Sequence, residues 1–519
     1  MTFVAAMPLV TSPRPLLPAC PLSCQPFRSR PDKAFALKMS AATAISAETE
    51  EDVYTWTGQD EFDKLNDRVD ARPLPLPPIK SAKRVALVRH GQSTWNAQGR
   101  VQGSSNLSYL TKKGESQAET TQQLLKDDKF DMLFHSPLKR ADQTAQIIWG
   151  SRQGSATVLP SLREVDLYSF QGLLKNEGKA RYGEQYRQWQ QNPADFIIDD
   201  QAPIRELWYR ASMAWQDILG NADVKSALVV AHNAVNQALL NTALDLPPSF
   251  FRRLLQSNAA TSVIDFQPNG DKPPTRTIDR MNQSPGSPFG SPKPGSGRII
   301  LVRTGNAEGA MEGLLLGVRD DPLSTLGRVQ GSKAAELLMD VKVDAIYSSP
   351  LSRAKETAQS IADLQSLAGY SQPPVRESDD LNNRDWGSLE GREASEVAAD
   401  ASGAAESVDV FSERCGRAWE RLQAAAHEGG GRTVAVVTHS SVISGILCRC
   451  LGMGPADLSL FRTGGGSITL IGFPDVAQAD TMHAGVIQCT NFTAHLGRWA
   501  VPVTRDDAEY AVCGIDGCF

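Results

Sequence analysis

Three short segments of this chain end in residues suited to holding an anion: Arg89-His90-Gly91 in "VALVRHG", Ser136-Pro137 with Arg140 close behind in "FHSPLKR", and Ala231-His232-Asn233 in "VVAHN". Each follows an apolar run that reads as a strand, and in α/β sheets functional groups gather where strands end and helices begin. Ser136 suits an N-cap and Pro137 the first helical position, which puts Arg140 in or just after the first turn, beside free backbone amides. Two guanidinium groups, two imidazoles and a helix N-terminus meeting in one crevice would bind an anion, and phosphate fits that set best.

The elements that would position these residues occur twice. "VALV" matches "IILV", "DMLFHSP" matches "DAIYSSP", "ALVVAH" matches "VAVVTH" and "SVIDF" matches "SITLIGF". The runs are short, mostly unalternated and β-rich, as strands buried on both faces are. Helix-like segments such as "NAVNQALLNTAL" follow them, so the expected fold class is α/β: two tandem three-layer α/β/α sandwich domains with largely parallel sheets. The expected order is a segment 1–47, an extended proline-rich lead-in 48–80 with little to pack, a first repeat 81–267, a solvated Pro/Gly/Ser linker 268–297, a second repeat 298–502 and a tail 503–519.

Length agrees with two domains, since 519 residues exceed one core. A net charge of −6 gives no reason to expect nucleic acid or an anionic membrane as partner, and no run of about 18 apolar residues would span a bilayer. Residues 1–47 set Arg14, Arg28, Arg30, Lys33 and Lys38 against one acid, Asp32, amid Ser, Pro and Ala, the composition of an organelle transit peptide. The seven histidines show no ligand spacing, so neither a metal nor another cofactor is called for. Cys415, Cys448, Cys450 and Cys489 crowd the second repeat, and Cys513 and Cys518 flank two glycines in the tail, where redox control of a thioredoxin type and two inert thiols are both open readings.

Taken together, "VRHGQSTWN", "SPLKR", "LREVD" and "VVAHN" resemble the histidine phosphatase superfamily, also called phosphoglycerate mutase-like. With "LTKKGESQAET", "DLYSFQGLLK", "LLQSN" and "CTNFTAHLGRW", residues 80–503 look like the plant 2-carboxy-D-arabinitol-1-phosphatase family of the chloroplast stroma, whose substrate is a sugar-acid phosphate that inhibits Rubisco. The resemblance implies a phosphatase in which His90 is the nucleophile and becomes phosphohistidine. It gives Arg89, Arg140 and His232 to the phosphate pocket, makes Glu164 the general acid, and adds Asn96, Gln102 and Asn233 as binding residues. Substrate recognition would fall to the insertion between Gly172 and Pro203, with Lys175 and Lys179 the first candidates to meet a substrate carboxylate. Asn233, Tyr168 and Gln171 depart from the common superfamily pattern, and "WQQN" at Trp189–Asn192 stands where mutases keep two arginines, which favours hydrolysis over mutase chemistry. Two other readings stay open, a mutase or a different sugar-phosphate phosphatase, and a non-catalytic phosphate-binding scaffold.

Aligning the repeats pairs Arg89 with Arg303, Arg140 with Arg353 and His232 with His439, but His90 with Thr304 and Glu164 with Asn383. Threonine forms no phosphoramidate and has no adjacent base to activate it, so the second repeat is expected to be catalytically silent. It would serve either as a packing partner or as a site for a phosphorylated regulator.

Overall fold

The computed structural model describes residues 72–284, 286–290, 295–393, 405–473 and 485–497; the expected transit segment, most of the lead-in, and Cys513 and Cys518 lie outside the described residues. In the first repeat the strands are β1 (Lys83–Arg89), β2 (Met132–His135), β3 (Ser155–Val158), β4 (Ser226–Ala231), β5 (Thr261–Asn269) and β6 (Lys272–Gln283). Its helices are α1 (Thr94–Gln98), α2 (Lys112–Leu124), α3 (Lys139–Trp149), α4 (Lys175–Gln191), α5 (Pro203–Gly220) and α6 (Asn233–Ala243). The second repeat follows with β7 (Arg298–Arg303), β8 (Ala345–Ser348), β9 (Val375–Glu377), β10 (Thr433–Thr438), β11 (Ile468–Gly472) and β12 (Val486–Phe492). Its helices are α7 (Glu308–Met311), α8 (Thr325–Leu337), α9 (Ser352–Leu367), α10 (Val408–His427) and α11 (Ser440–Cys450).

All twelve strands join one sheet, in the order β3-β2-β4-β1-β5-β6-β12-β11-β7-β10-β8-β9. Read from either edge inward, the order is the same in both repeats. The four outer strands on each side pair in parallel, and the pairings from β1 across the seam to β7 are antiparallel. Alternation along the strands sends side chains to two faces. Val85, Leu87, Ile299 and Leu301 enter one core that both repeats share, whereas Ala86 and Val88 on one side, and Ile300 and Val302 on the other, enter two separate cores on the opposite face. No helix among the described residues is long and apolar enough to cross a membrane.

Two expectations about the connecting segments fail. Residues 272–283, assigned above to a solvated linker, form β6, which pairs with β5 and carries Ile278 and Met281 into the shared core. Asn269 lies opposite Lys272 across a two-residue loop in which Gly270 has φ 61°, so "PNGDK" is a hairpin turn. Pro273 and Pro274 are tolerated because they fall at the strand's start. At the seam, Met281 lies opposite Thr490 of β12, and side-chain amides extend the join: Asn282 Nδ2 donates to Gln488 O at 2.6 Å and Asn491 Nδ2 to Asp279 O at 2.8 Å. Arg462 of the second repeat also bonds Asp265 of β5 at 2.9 Å, alongside Arg84 at 2.7 Å. The proline-rich lead-in does pack where it is described, because Leu76 and Ile79 are buried in the shared core.

Candidate active site

Register alone brings the two histidines together. β1 and β4 are parallel neighbours with Arg89 opposite Ala231, so His90 and His232 leave the sheet side by side, ring centroids 5.1 Å apart. β2 sets His135 opposite Val230 on the other edge of β4, and Ser136 Oγ then lies 2.7 Å from His232 Nε2. The same hydroxyl accepts from Leu138 N at 3.3 Å. Occupied in this way, Ser136 does not cap the next helix as its sequence position suggested; Leu138 is the N-cap of α3, and Arg140 is its second residue.

The loop after His90 needs its glycine. A Cβ on Gly91 would sit 2.3 Å from the carbonyl oxygen of Gly114 at the start of α2, closer than any side chain tolerates. Arg140 is fully buried and donates to the carbonyls of Ser105 and Gly103, both at 2.8 Å, while Arg89 donates to that of Gln256 at 2.8 Å. Backbone oxygens thus hold both guanidinium groups. Arg89 Nε, Arg140 Nε and His232 Nδ1 are buried with no partner among the described residues. Buried polar atoms are rarely left unpaired, and these three belong to residues that meet in one cluster.

Burial, reinforced by Arg140 and Arg89, holds the His90 imidazole well below its ordinary range; burial and Arg140 do the same to His232. Both rings are therefore neutral near pH 7. His90 Nδ1 is 2.7 Å from the Gly91 carbonyl, which can only accept, so Nδ1 carries the hydrogen and Nε2 the lone pair. Burial lowers Arg89 and Arg140 to about 10, Glu164 opposing the shift, and both stay cationic.

Glu164 arrives from the loop after β3 and is 9% exposed. Its carboxylate accepts from Ala234 N at 3.1 Å and Val235 N at 3.1 Å, the first turn of α6, immediately beyond His232. A residue not singled out above holds it there. Arg210 of α5 donates to the carbonyls of Arg163 at 2.5 Å and Glu164 at 3.1 Å. Its signal was in the repeat: "RASMAW" from Arg210 is echoed by "RCGRAW" from Arg414.

The remaining candidates stand around this cluster. Asn96 Oδ1 accepts from Asn258 Nδ2 at 3.4 Å, and the same amide donates to His90 O at 2.9 Å. Gln102 Oε1 accepts from Ser93 Oγ at 2.8 Å, and Asn233 Oδ1 from Gln237 Nε2 at 3.1 Å. Lys175 and Lys179 are exposed on α4, outside the buried cluster. At the "WQQN" step, Arg252 stacks 4.6 Å from the Trp189 ring and donates to Gln190 O at 2.7 Å.

In the second repeat the same frame recurs. Arg353 donates to the carbonyls of Arg319 at 2.7 Å and Gly317 at 3.0 Å, Arg303 to that of Thr463 at 2.6 Å, and His439 Nε2 lies 2.9 Å from Ser349 Oγ. Arg414 repeats Arg210, donating to the carbonyls of Asn382 at 2.6 Å and Asn383 at 3.0 Å.

The family model of the histidine phosphatase superfamily (branch 1) matches residues 85–278 and again 299–479. The chain belongs to the histidine phosphatase superfamily. Each match falls on one repeat. A 2-carboxy-D-arabinitol-1-phosphatase of Triticum aestivum is 46% identical to this histidine phosphatase over 463 residues, covering 85% of this chain and 91% of its own. A probable 2-carboxy-D-arabinitol-1-phosphatase of Arabidopsis thaliana is 43% identical over 443 residues, with 82% and 91% covered. A probable phosphoglycerate mutase from Enterobacter is 32% identical over 188 residues, 36% of this chain and 85% of its own.

Proposed function

We propose that the first repeat hydrolyses a sugar-acid phosphate monoester, 2-carboxy-D-arabinitol 1-phosphate, through a phosphohistidine at His90, and that the protein works in the chloroplast stroma behind an N-terminal transit segment. The observation that carries the reaction is the register-locked pair His90 and His232 beside two guanidinium groups held by backbone carbonyls, with a lone pair on His90 Nε2. The substrate reading rests on the plant relatives, which match across both repeats.

In the first half-reaction His90 Nε2 bonds to phosphorus as the bond from phosphorus to the sugar oxygen breaks. Glu164, tethered to α6, passes to that oxygen the proton that the ester brings in as its monoanion, and Arg89, Arg140 and His232 meet the charge on the non-bridging oxygens. In the second half, water attacks phosphorus, Glu164 takes its proton, the phosphorus–nitrogen bond breaks and phosphate departs. Asn96, Gln102 and Asn233 shape the rim, and Lys175 and Lys179 meet the substrate's carboxylate if α4 approaches the mouth. Redox control of a thioredoxin type through Cys513 and Cys518 belongs to the same reading. Activity unchanged by reduction and by Cys518→Ser would remove it.

Assaying released phosphate across a panel of phosphorylated sugars and sugar acids tests the assignment. The sugar-acid ester should give the highest kcat/KM, and rapid quenching with a 32P-labelled ester should leave label on His90. Label on another residue, or undiminished turnover in His90→Ala, refutes the mechanism.

A further inference from the structure

The second repeat contains a cavity at the ends of β7 and β10, lined among others by Arg303, Thr304, Arg353, Asn383, His439 and Ser441. We propose that this cavity is a binding site for a dianionic phosphate group, as free phosphate or on a small monoester, which it holds without hydrolysing. The inference is independent of the reaction assigned to the first repeat.

Charge decides it. In the first repeat the Glu164 carboxylate lies against the opening turn of α6 and places a negative charge beside the guanidinium groups. In the second, Asn383 Oδ1 accepts from Ser441 Oγ at 2.5 Å and from Arg384 N at 3.0 Å, and brings no charge. Arg303 and Arg353 are kept, buried and held by carbonyls as before, while Arg414 behind them is paired with Glu406 at 2.7 Å. At this position the second repeat carries an amide in place of a carboxylate and keeps both guanidinium groups. Burying two guanidinium groups is costly, and apolar side chains of similar volume would serve a purely packing domain as well or better. The eleven-residue helix α11 adds an N-terminus at Ser440 on the cavity wall, favourable to the same charge.

The wall describes the rest of the ligand. Gly391 N bonds Leu315 O at 2.7 Å as Gly172 N bonds Val101 O at 2.8 Å, so Leu316 stands where the first repeat has Gln102. With Leu315 and Trp386 beside it, that side of the cavity is apolar.

Calorimetric titration of the full chain with inorganic phosphate tests this, with glycerol 3-phosphate titrated in a His90→Ala background so that nothing is hydrolysed. Two phosphate equivalents per chain are expected, and one in Arg353→Ala. Asn383→Glu, which restores the first repeat's carboxylate, should weaken the second equivalent by at least about tenfold, and it decides the matter if Arg353→Ala melts early. Tighter second-site binding of the ester identifies a phosphorylated metabolite as ligand, and binding of phosphate alone identifies the free ion. A stoichiometry that Arg353→Ala leaves unchanged, or an unchanged affinity for every equivalent in Asn383→Glu, overturns the proposal. Loss of label from His90 would leave this count untouched, so the two readings fail separately.

Discussion

The two repeats build the same crevice from the same backbone and differ at the two positions where bonds would be made and protons moved. Arg140 and Arg353 lie on carbonyls of equivalent loops, and His232 and His439 on equivalent serines. At the centre, His90 corresponds to Thr304 and Glu164 to Asn383. The frame is secured by strand register and backbone hydrogen bonds, which many residues enforce together, whereas chemistry resides in single side chains that can be exchanged without disturbing the sheet. The first repeat also departs from the second at a loop. Tyr168 takes φ 43° where the second repeat has Gly387 in "DWGSLEG" at φ 56°, and its hydroxyl donates to Glu206 at 2.9 Å.

The largest effect should come from copying the second repeat's centre into the first. His90→Thr is expected to lower kcat by at least about 10⁴-fold, since no other group can accept the phosphoryl; a smaller loss, measured by phosphate release, would mean that the contrast at positions 90 and 304 is not the decisive one. Arg210→Ala tests whether the shared tether matters for chemistry. Freed from it, Glu164 should drift and kcat fall by about 10- to 100-fold with KM little changed, while Arg414→Ala should lower the melting temperature by a comparable amount to Arg210→Ala. If kcat per folded molecule survives in Arg210→Ala, the arginine only stabilises.

A pH titration of stability sharpens the symmetry itself. Burial holds His90, His232 and His439 neutral in the folded state, with their pKa values well below 6.5. Below 6.5 the unfolded chain binds protons that the folded chain does not, so stability falls with falling pH, by up to about 1.4 kcal/mol per pH unit for each ring. Melting between pH 7.5 and 5.5 should show this loss, and His439→Gln should shrink it without a change of sign. The smallest effect belongs to the loop. Tyr168→Phe removes the bond to Glu206 and should cost about 1 to 2 kcal/mol in urea unfolding, with no counterpart at Gly387.

Much of this was legible in the chain. Continuous apolar runs such as "VALV" and "ALVVA" announce strands buried on two faces, and His90, Arg140, Glu164 and His232 occupy one crevice as the repeated motifs implied. Strand β6 was hidden because two prolines open it and a register shift between Ile278 and Arg280 breaks the alternation around Ile278 and Met281, although the Asn269-Gly270 turn was present as a signal. Ser136 misled because a serine before a helix has more than one use, and a nearby imidazole took the hydroxyl.

By itself the sequence determined what is local and what is repeated: the strands, the order of motifs and the two exchanged residues. Tertiary structure alone decided that the halves share one sheet and one core, that the helix-capping carboxylate of one site is a neutral amide turned to a serine in the other, and that Arg210 stands behind Glu164. The reason is distance along the chain. Propensity and periodicity speak for neighbouring residues, whereas the contact of β6 with β12, or of Glu164 with Ala234, exists only once strand register has folded distant segments onto each other.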